Sequence, residues 1–270
     1  MNIYDLTFIK YPNYVNSVVK TYTQRVKQSL KWTDVIITIS ESSKKDIINY
    51  LNIEPERIYV TPLASRYDSA YLYNNKNIIS QNINLSHYDF TQPYILFVST
   101  IEPRKNITTL IAAFNHLKQK YKIDHHLILI GQKGWRYEPI FSEIERSPWK
   151  EQIHHLNYLS DETVALFYSK ADVFAYPSHY EGFGLPVLEA MTLGAPVVTS
   201  NTSSLPEVAG DAALLVDPND SINLAEAILK IISDSQLRQE LIQKGKERAA
   251  LYSWERTAQE TLQVYKNLIS

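Results

Sequence analysis

From Pro93 to Val216 the chain alternates short apolar, β-branched runs with stretches of helical period. Such an alternation restricts the chain to a parallel sheet with helices on both faces, because each strand is then apolar on both sides and each crossover is a helix. Strands are expected over 94–100, 126–131, 153–158, 172–177, 195–200 and 212–216. Between the first two, Ile107, Leu110, Ile111, Phe114 and Leu117 recur at helical spacing behind Asn106, an expected N-cap. Further helices are expected near 136–146 and from Ser160 to about Lys170, with two or three more over 221–268. Ser204 and Glu207 have the spacing of a capping box. In an open sheet of this kind a ligand binds outside the carboxyl ends of the strands.

One strand end leads directly into Glu-Gly-Phe-Gly-Leu-Pro-Val-Leu-Glu, residues 181–189. Gly182-Phe183-Gly184 forms a loop whose backbone can approach a ligand closely. Pro186 suits a first helical turn, Leu188 and Met191 supply a buried face, and Gly194 ends the helix. The free N–H groups and the dipole at such a helix start favour anions. Glu181 and Glu189 bracket the loop seven residues apart. Each has a plain alternative reading, as a solvated loop acid or as a helix-stabilising one.

The other strand ends offer a second group of candidates. Arg104 and Lys105 stand just before a helix N-terminus, where the dipole disfavours cations; a bound diphosphate would reverse that cost, and the alternatives are an exposed basic pair or a pair neutralised by Glu102. Lys133 could add a third phosphate contact with Trp135 packing on a sugar; the preferred alternative is a turn whose Trp135 covers the core. Tyr158 and Leu159 end the third strand, where a core or edge role is open to them, and His179 lies two positions before Glu181. None of the seven histidines has metal-ligand spacing, and the chain has no cysteine, which removes disulfides and thiolate chemistry. No Ser-centred elbow or Walker loop is present. A net charge of −2 with no basic block argues against nucleic acid as a partner. No apolar run approaches membrane-spanning length, so a cytoplasmic protein is the default expectation.

Residues 1–65 read as part of an α/β unit. A helix is expected over 14–33, with Val15, Val18, Val19, Tyr22, Val26 and Leu30 on one side and Lys20, Arg25, Lys27 and Lys31 on the other. The basic side is a solvated face or a membrane-surface contact. Strands follow at 34–39 and 57–60, joined by a helix capped by Ser40. The polar stretch 66–92 reads as a linker.

The string 181–198 resembles the Glu-x7-Glu segment of the retaining glycosyltransferases of family 4, which have the GT-B fold. Pro103-Arg104-Lys105-Asn106 resembles the diphosphate signature of that family, and the order of residues 34–62 resembles the end of its N-terminal domain. Two departures are visible: Ser99 stands where relatives usually have Gly, and Tyr4 of Tyr4-Asp5-Leu6 stands where many have His. The resemblance implies a GT-B-like α/β architecture. Residues 93–253 would form a complete Rossmann-like nucleotide-sugar domain, 1–65 a truncated acceptor-side domain, 66–92 a linker and 254–270 a helix crossing back. It also implies that roughly a hundred residues of a typical relative are missing before position 1.

By the same resemblance, Arg104 and Lys105 bind the donor diphosphate. Glu181 with Gly182, Phe183, Gly184 and Leu185 faces sugar and phosphate, Glu189 holds the ribose, and Tyr158 and Leu159 meet the base. The implied activity is transfer of a hexose from a nucleotide-diphosphate-sugar to a sugar or glycolipid acceptor, with retention and without metal or cofactor, as in cell-wall or polysaccharide synthesis. Peripheral contact with the inner membrane face is a further expectation. The rival reading is a donor-binding module without catalysis of its own, needing a partner chain or a homodimer to cover the truncated domain. A nucleotide-sugar epimerase is a third.

Overall fold

Residues 1–14, 21–75 and 92–269 are described in this computed structural model. Near the N-terminus, β1 (Ile36–Thr38) and β2 (Ile58–Val60) pair in parallel, and Asn2 adds a parallel bridge to Ile37. The helix Glu41–Leu51 joins the two strands. Ser40 caps it as expected, accepting from Ser43 N, and Asn52 closes it in the left-handed region at φ 56°. A small core of Ile3, Leu6, Ile36, Ile47 and Ile58 holds this unit. Of the helix expected over 14–33, Val15, Val18, Val19 and Lys20 lie outside the described residues. Its described part is the helix Tyr22–Ser29 and a 3-10 turn at Leu30–Trp32, with Val26 and Leu30 against the small core and Arg25, Lys27 and Lys31 exposed.

The six apolar runs from Tyr94 onward form one all-parallel sheet of β3 (Tyr94–Val98), β4 (His126–Ile130), β5 (Ile153–Leu156), β6 (Val173–Tyr176), β7 (Val197–Ser200) and β8 (Ala213–Val216). Their order across the sheet is β5-β4-β3-β6-β7-β8. Winding therefore proceeds outward in two directions from the β3/β6 pair, which is the topology of a Rossmann-like fold. The β3/β6 pair is the switch point, where a ligand crevice is expected in such sheets; here the loops after the two strands are joined, His179 N–H donating to Arg104 O at 3.0 Å and the Asn106 amide to Pro177 O at 3.0 Å. Helices cover the sheet: Ile107–His116 packs with Ser221–Ser233, and Leu185–Thr192 with Ser235–Ala249. Every residue of β6 and β7 is buried, as a strand covered on both faces requires.

The last helix, Trp254–Ile269, meets the segment after β2, where the Trp254 indole donates to Ser65 O at 3.1 Å. Within the polar stretch 66–92, residues 76–91 lie outside the described residues; the remainder includes one helical turn at Tyr71–Asn74 and a buried Tyr67. Among the described residues no helix is long and apolar enough to cross a membrane.

Two expected caps take other partners. Asn106 precedes the helix Ile107–His116 but sits at φ 58°, and its amide donates to Pro177 O and Pro218 O instead of capping. Ser204 does not cap its own helix, Leu205–Ala209; its hydroxyl donates to Glu181 O and Phe183 O, and Glu207 caps the helix Glu41–Leu51 from the other unit.

Gly131 ends β4 at φ +146°, and a Cβ there would lie 1.9 Å from Ser99 O, at the end of neighbouring β3. Gly131→Ala is expected to lower the unfolding free energy by about 3 kcal/mol, since it adds backbone strain to a steric clash. Urea denaturation measures this; an alanine variant as stable as the parent would contradict the close approach of the two strand ends.

Candidate functional site

The switch point brings two sequence-distant groups together. After β3 the chain makes a 3-10 turn, Pro103–Lys105, and after β6 it runs through Ser178 and Tyr180 to Glu181. The Glu181 carboxylate accepts from Lys105 Nζ at 2.7 Å, Tyr176 Oη at 2.9 Å and Ser178 Oγ at 2.7 Å through Oε1, and from Arg104 Nη1 at 3.0 Å through Oε2. Arg104 also donates to Tyr180 O, and its Nη2 lies 2.7 Å from Glu102 Oε1. Glu102, Lys105 and Glu181 are all buried. Burial by itself would push the Glu181 carboxyl up, but Lys105 and Arg104 together outweigh it and hold the group at about 2. Burial also lowers the Lys105 ammonium, against which Glu181 acts.

The glycine loop is closed from the other unit. A Cβ on Gly182 would meet Asp5 Cβ at 2.8 Å and Tyr4 O at 3.0 Å, so in this structure the bare face expected for a ligand is filled by the chain's own N-terminal residues. Gly182 O accepts from Ser40 Oγ at 2.7 Å and from Ser43 Oγ at 3.2 Å. Glu207 accepts from the N–H groups of Glu41 and Ser42 at 2.8 and 3.1 Å, a carboxylate at a helix N-terminus where the dipole favours it. Phe183 is buried against Tyr252, and Gly184 takes φ +113° before the helix Leu185–Thr192. Among the described residues, the N–H groups of Phe183, Gly184 and Leu185 meet no acceptor, as is common at a helix start.

Beside this cluster, a cavity of about 340 Å³ opens at the carboxyl ends of β3, β4 and β5, and Ser99, Tyr158, Leu159 and Glu189 line it together. Glu189 is buried within its helix. Its Oε1 accepts from Arg66 Nε at 2.7 Å, and Tyr168 Oη lies 3.4 Å from its Oε2. Burial pushes this carboxyl up, and Arg66 opposes the rise. Arg66 escaped the sequence reading because it belongs to a polar stretch without periodicity, and only folding brings it to Glu189.

The remaining candidates separate. The Lys133 ammonium lies 4.3 Å from the Phe141 ring centroid and 5.0 Å from that of Tyr137, while its backbone bridges Ile101. Trp135 is half-buried. His179 is tied by its backbone, N–H to Arg104 O and C=O from Thr202, and burial lowers its imidazole. His126 and His154 hydrogen-bond each other at 2.9 Å, and among the described residues no group of three or more His, Asp or Glu could hold a metal ion.

Removing the Glu181 charge leaves Arg104 and Lys105 with only Glu102 as counterion. Glu181→Gln is expected to cost about 3–5 kcal/mol of stability, the range for breaking a buried pair from one side. The sign with pH follows from the depressed carboxyl: Glu181 adds stability above the unfolded value near 4.5, and this is lost as pH falls toward about 2. Denaturation between pH 6 and 3 should show a shallower acid loss in the variant than in the parent. Parallel curves would mean that Glu181 is not ionised against these cations.

Comparison with known proteins follows the same geometry. Residues 84–248 match the family model described as glycosyl transferases group 1. The O-antigen chain mannosyltransferase B of Escherichia coli is 36% identical over 267 residues, covering 98% of this chain and 69% of that protein. The MMP alpha-(1->4)-mannosyltransferase of Mycolicibacterium hassiacum is 27% identical over 253 residues, 92% of this chain and 58% of that one. Among solved structures, sucrose-phosphate synthase from Thermosynechococcus elongatus superposes with a TM-score of 0.80 at 25% identity, over 99% of this chain and 67% of its own. Anabaena HepE, solved in complex with UDP and glucose, superposes with a TM-score of 0.78 at 20% identity, over 100% and 70%. With a GT-B-like α/β fold, a parallel Rossmann-like sheet and a family match over most of its length, the chain belongs to the group 1 glycosyltransferases.

Proposed function

We propose that this chain is a retaining glycosyltransferase of family 4 that transfers a hexose from a nucleotide-diphosphate-sugar. The observation that carries the reading is that Arg104 and Lys105 meet Glu181 at the β3/β6 switch point while Glu189 lines a cavity of about 340 Å³ at the neighbouring strand ends. The names of the similar proteins favour mannose as the sugar and a saccharide chain as the acceptor.

The chemistry follows from charge. As the glycosidic bond to the diphosphate lengthens, negative charge grows on the leaving oxygen. Arg104 and Lys105 are preorganised to meet that charge, with Glu181 keeping them aimed at low reorganisation cost. The unpaired N–H groups at the start of the helix Leu185–Thr192 add to the anion site. Glu189 accepts from the ribose hydroxyls, and Tyr158 and Leu159 border the base. The sugar lies by the Gly182–Leu185 loop, away from the face of Gly182 that Tyr4 and Asp5 fill. In this reading the diphosphate charge is met by protein cations, and transfer proceeds without a bound metal, a cofactor or a covalent protein intermediate.

Thermal stabilisation by UDP, GDP and ADP tests the donor site. A nucleotide bound only to the folded state adds about 2.7 kcal/mol at a hundredfold excess over its dissociation constant. One of the three should stabilise the protein, and Arg104→Ala and Glu189→Ala should each abolish the shift. Transfer from the matching nucleotide-mannose should persist in EDTA and give an α-linked product, which NMR of the product identifies. A β-linked product would reject retention, and silence with all three nucleotides would reject the donor site itself.

A further inference from the structure

We propose that Arg66 is a positioning residue of the nucleotide site. Reaching in from the segment between the two sheets, it holds the Glu189 carboxylate oriented as an acceptor for the hydroxyl groups of the ligand. The inference rests on the reading of Glu189 as the ribose-binding carboxylate.

The geometry is specific. Arg66 donates from Nε to Glu189 Oε1 at 2.7 Å and from Nη1 to Asp161 Oδ1 at 2.9 Å, and it lines the same cavity of about 340 Å³. Its guanidinium bridges two carboxylates on different helices, Glu189 on Leu185–Thr192 and Asp161 at the start of Asp161–Lys170. The fork restrains both the position and the rotation of Glu189, and it occupies one face of Oε1 only. Among the described residues Oε2 meets only the Tyr168 hydroxyl, at 3.4 Å, and Glu189 lines the cavity together with Arg66. Neighbouring Tyr67 is buried and donates to Asp161 O at 3.2 Å, which anchors the backbone that presents Arg66.

Charge points the same way. The groups facing Glu189 are Arg66, Asp161 and Tyr168, with Tyr67 behind Arg66. Burial and Asp161 both push the Glu189 carboxyl up, while Arg66 and the Tyr168 hydroxyl pull it down. A carboxylate that must accept two ribose hydroxyls has to be ionised, since the neutral acid turns one oxygen into a donor. Without Arg66, burial and Asp161 act with only Tyr168 against them. Glu189 then takes up its proton at a higher pH, and nucleotide binding fades as pH falls through that point.

The test is calorimetric titration of UDP, GDP and ADP into the whole chain and its Arg66→Ala, Arg66→Lys and Asp161→Asn variants from pH 8 to 5.5. One proton changes an affinity by at most about tenfold per pH unit. Arg66→Ala is expected to bind more weakly than the parent at pH 8, where the ionised carboxylate has lost its orienting donor, and the deficit should widen as pH falls to 5.5, while Arg66→Lys keeps the parent profile. A uniform loss at every pH, or tighter binding at every pH as expected of a residue that competes with ribose, overturns the proposal. Carbon-13 NMR of the Glu189 carboxyl in the ligand-free protein, assigned with Glu189→Gln, reads the same coupling without nucleotide. A higher midpoint in Arg66→Ala supports the hold of Arg66 on Glu189, and equal midpoints reject it. If the parent binds none of the three nucleotides, the ribose reading fails, and the carboxyl titration alone then decides on that hold.

Discussion

The arrangement depends on one buried charge cluster, in which the Glu181 carboxylate is held between Lys105 and Arg104. Two cations beside a helix start are unfavourable on their own, and burying them without a counterion would cost several kcal/mol each. Glu181 resolves both difficulties, and its remaining lone pairs are met by Tyr176 and Ser178. The cluster can form only because β3 and β6 are neighbours in the sheet while being far apart in sequence. It fixes both cations at the switch point, each paired with a buried carboxylate.

The same loop is where the two sheets meet. Ser40 and Ser43 bind Gly182 O, Glu207 caps the helix of the N-terminal unit, and Tyr180 donates to Asp46 of that helix at 2.8 Å. These contacts join the glycine loop to residues that precede it by more than a hundred positions. Arg66 makes a second connection, to Glu189, from the segment between the sheets. A change in how the N-terminal unit sits would therefore be felt at both glutamates, through hydrogen bonds of defined partners.

Much of this was legible in advance. Strand and helix positions followed from apolar period, and the Ser40 cap from its place before a helical run. Ser99, Tyr158 and Leu159 stand at strand ends, which share one face of such a sheet, whereas the place of Glu189 beside them was implied only by the family resemblance. Asn106, Ser204 and Glu207 were assigned to local caps because sequence offers a polar side chain only its near neighbours. In the fold each has a distant partner with equal or better geometry. Lys133 has the charge of a phosphate ligand, but Tyr137 and Phe141 on the following turn take its ammonium.

By itself the sequence determined the parallel α/β class, the strand ends that hold the charged residues, and the pattern shared with the group 1 glycosyltransferases. These depend on local periodicity and on short strings whose members act within a few residues of one another. Only the tertiary structure decided which carboxylate neutralises which cation, that Tyr4 and Asp5 fill the bare face of Gly182, and that Arg66 reaches Glu189. Those outcomes depend on strand order and on the contact between two sheets. A buried ionic group takes whichever partner the completed fold brings within about 3 Å, and no spacing along the chain specifies that partner.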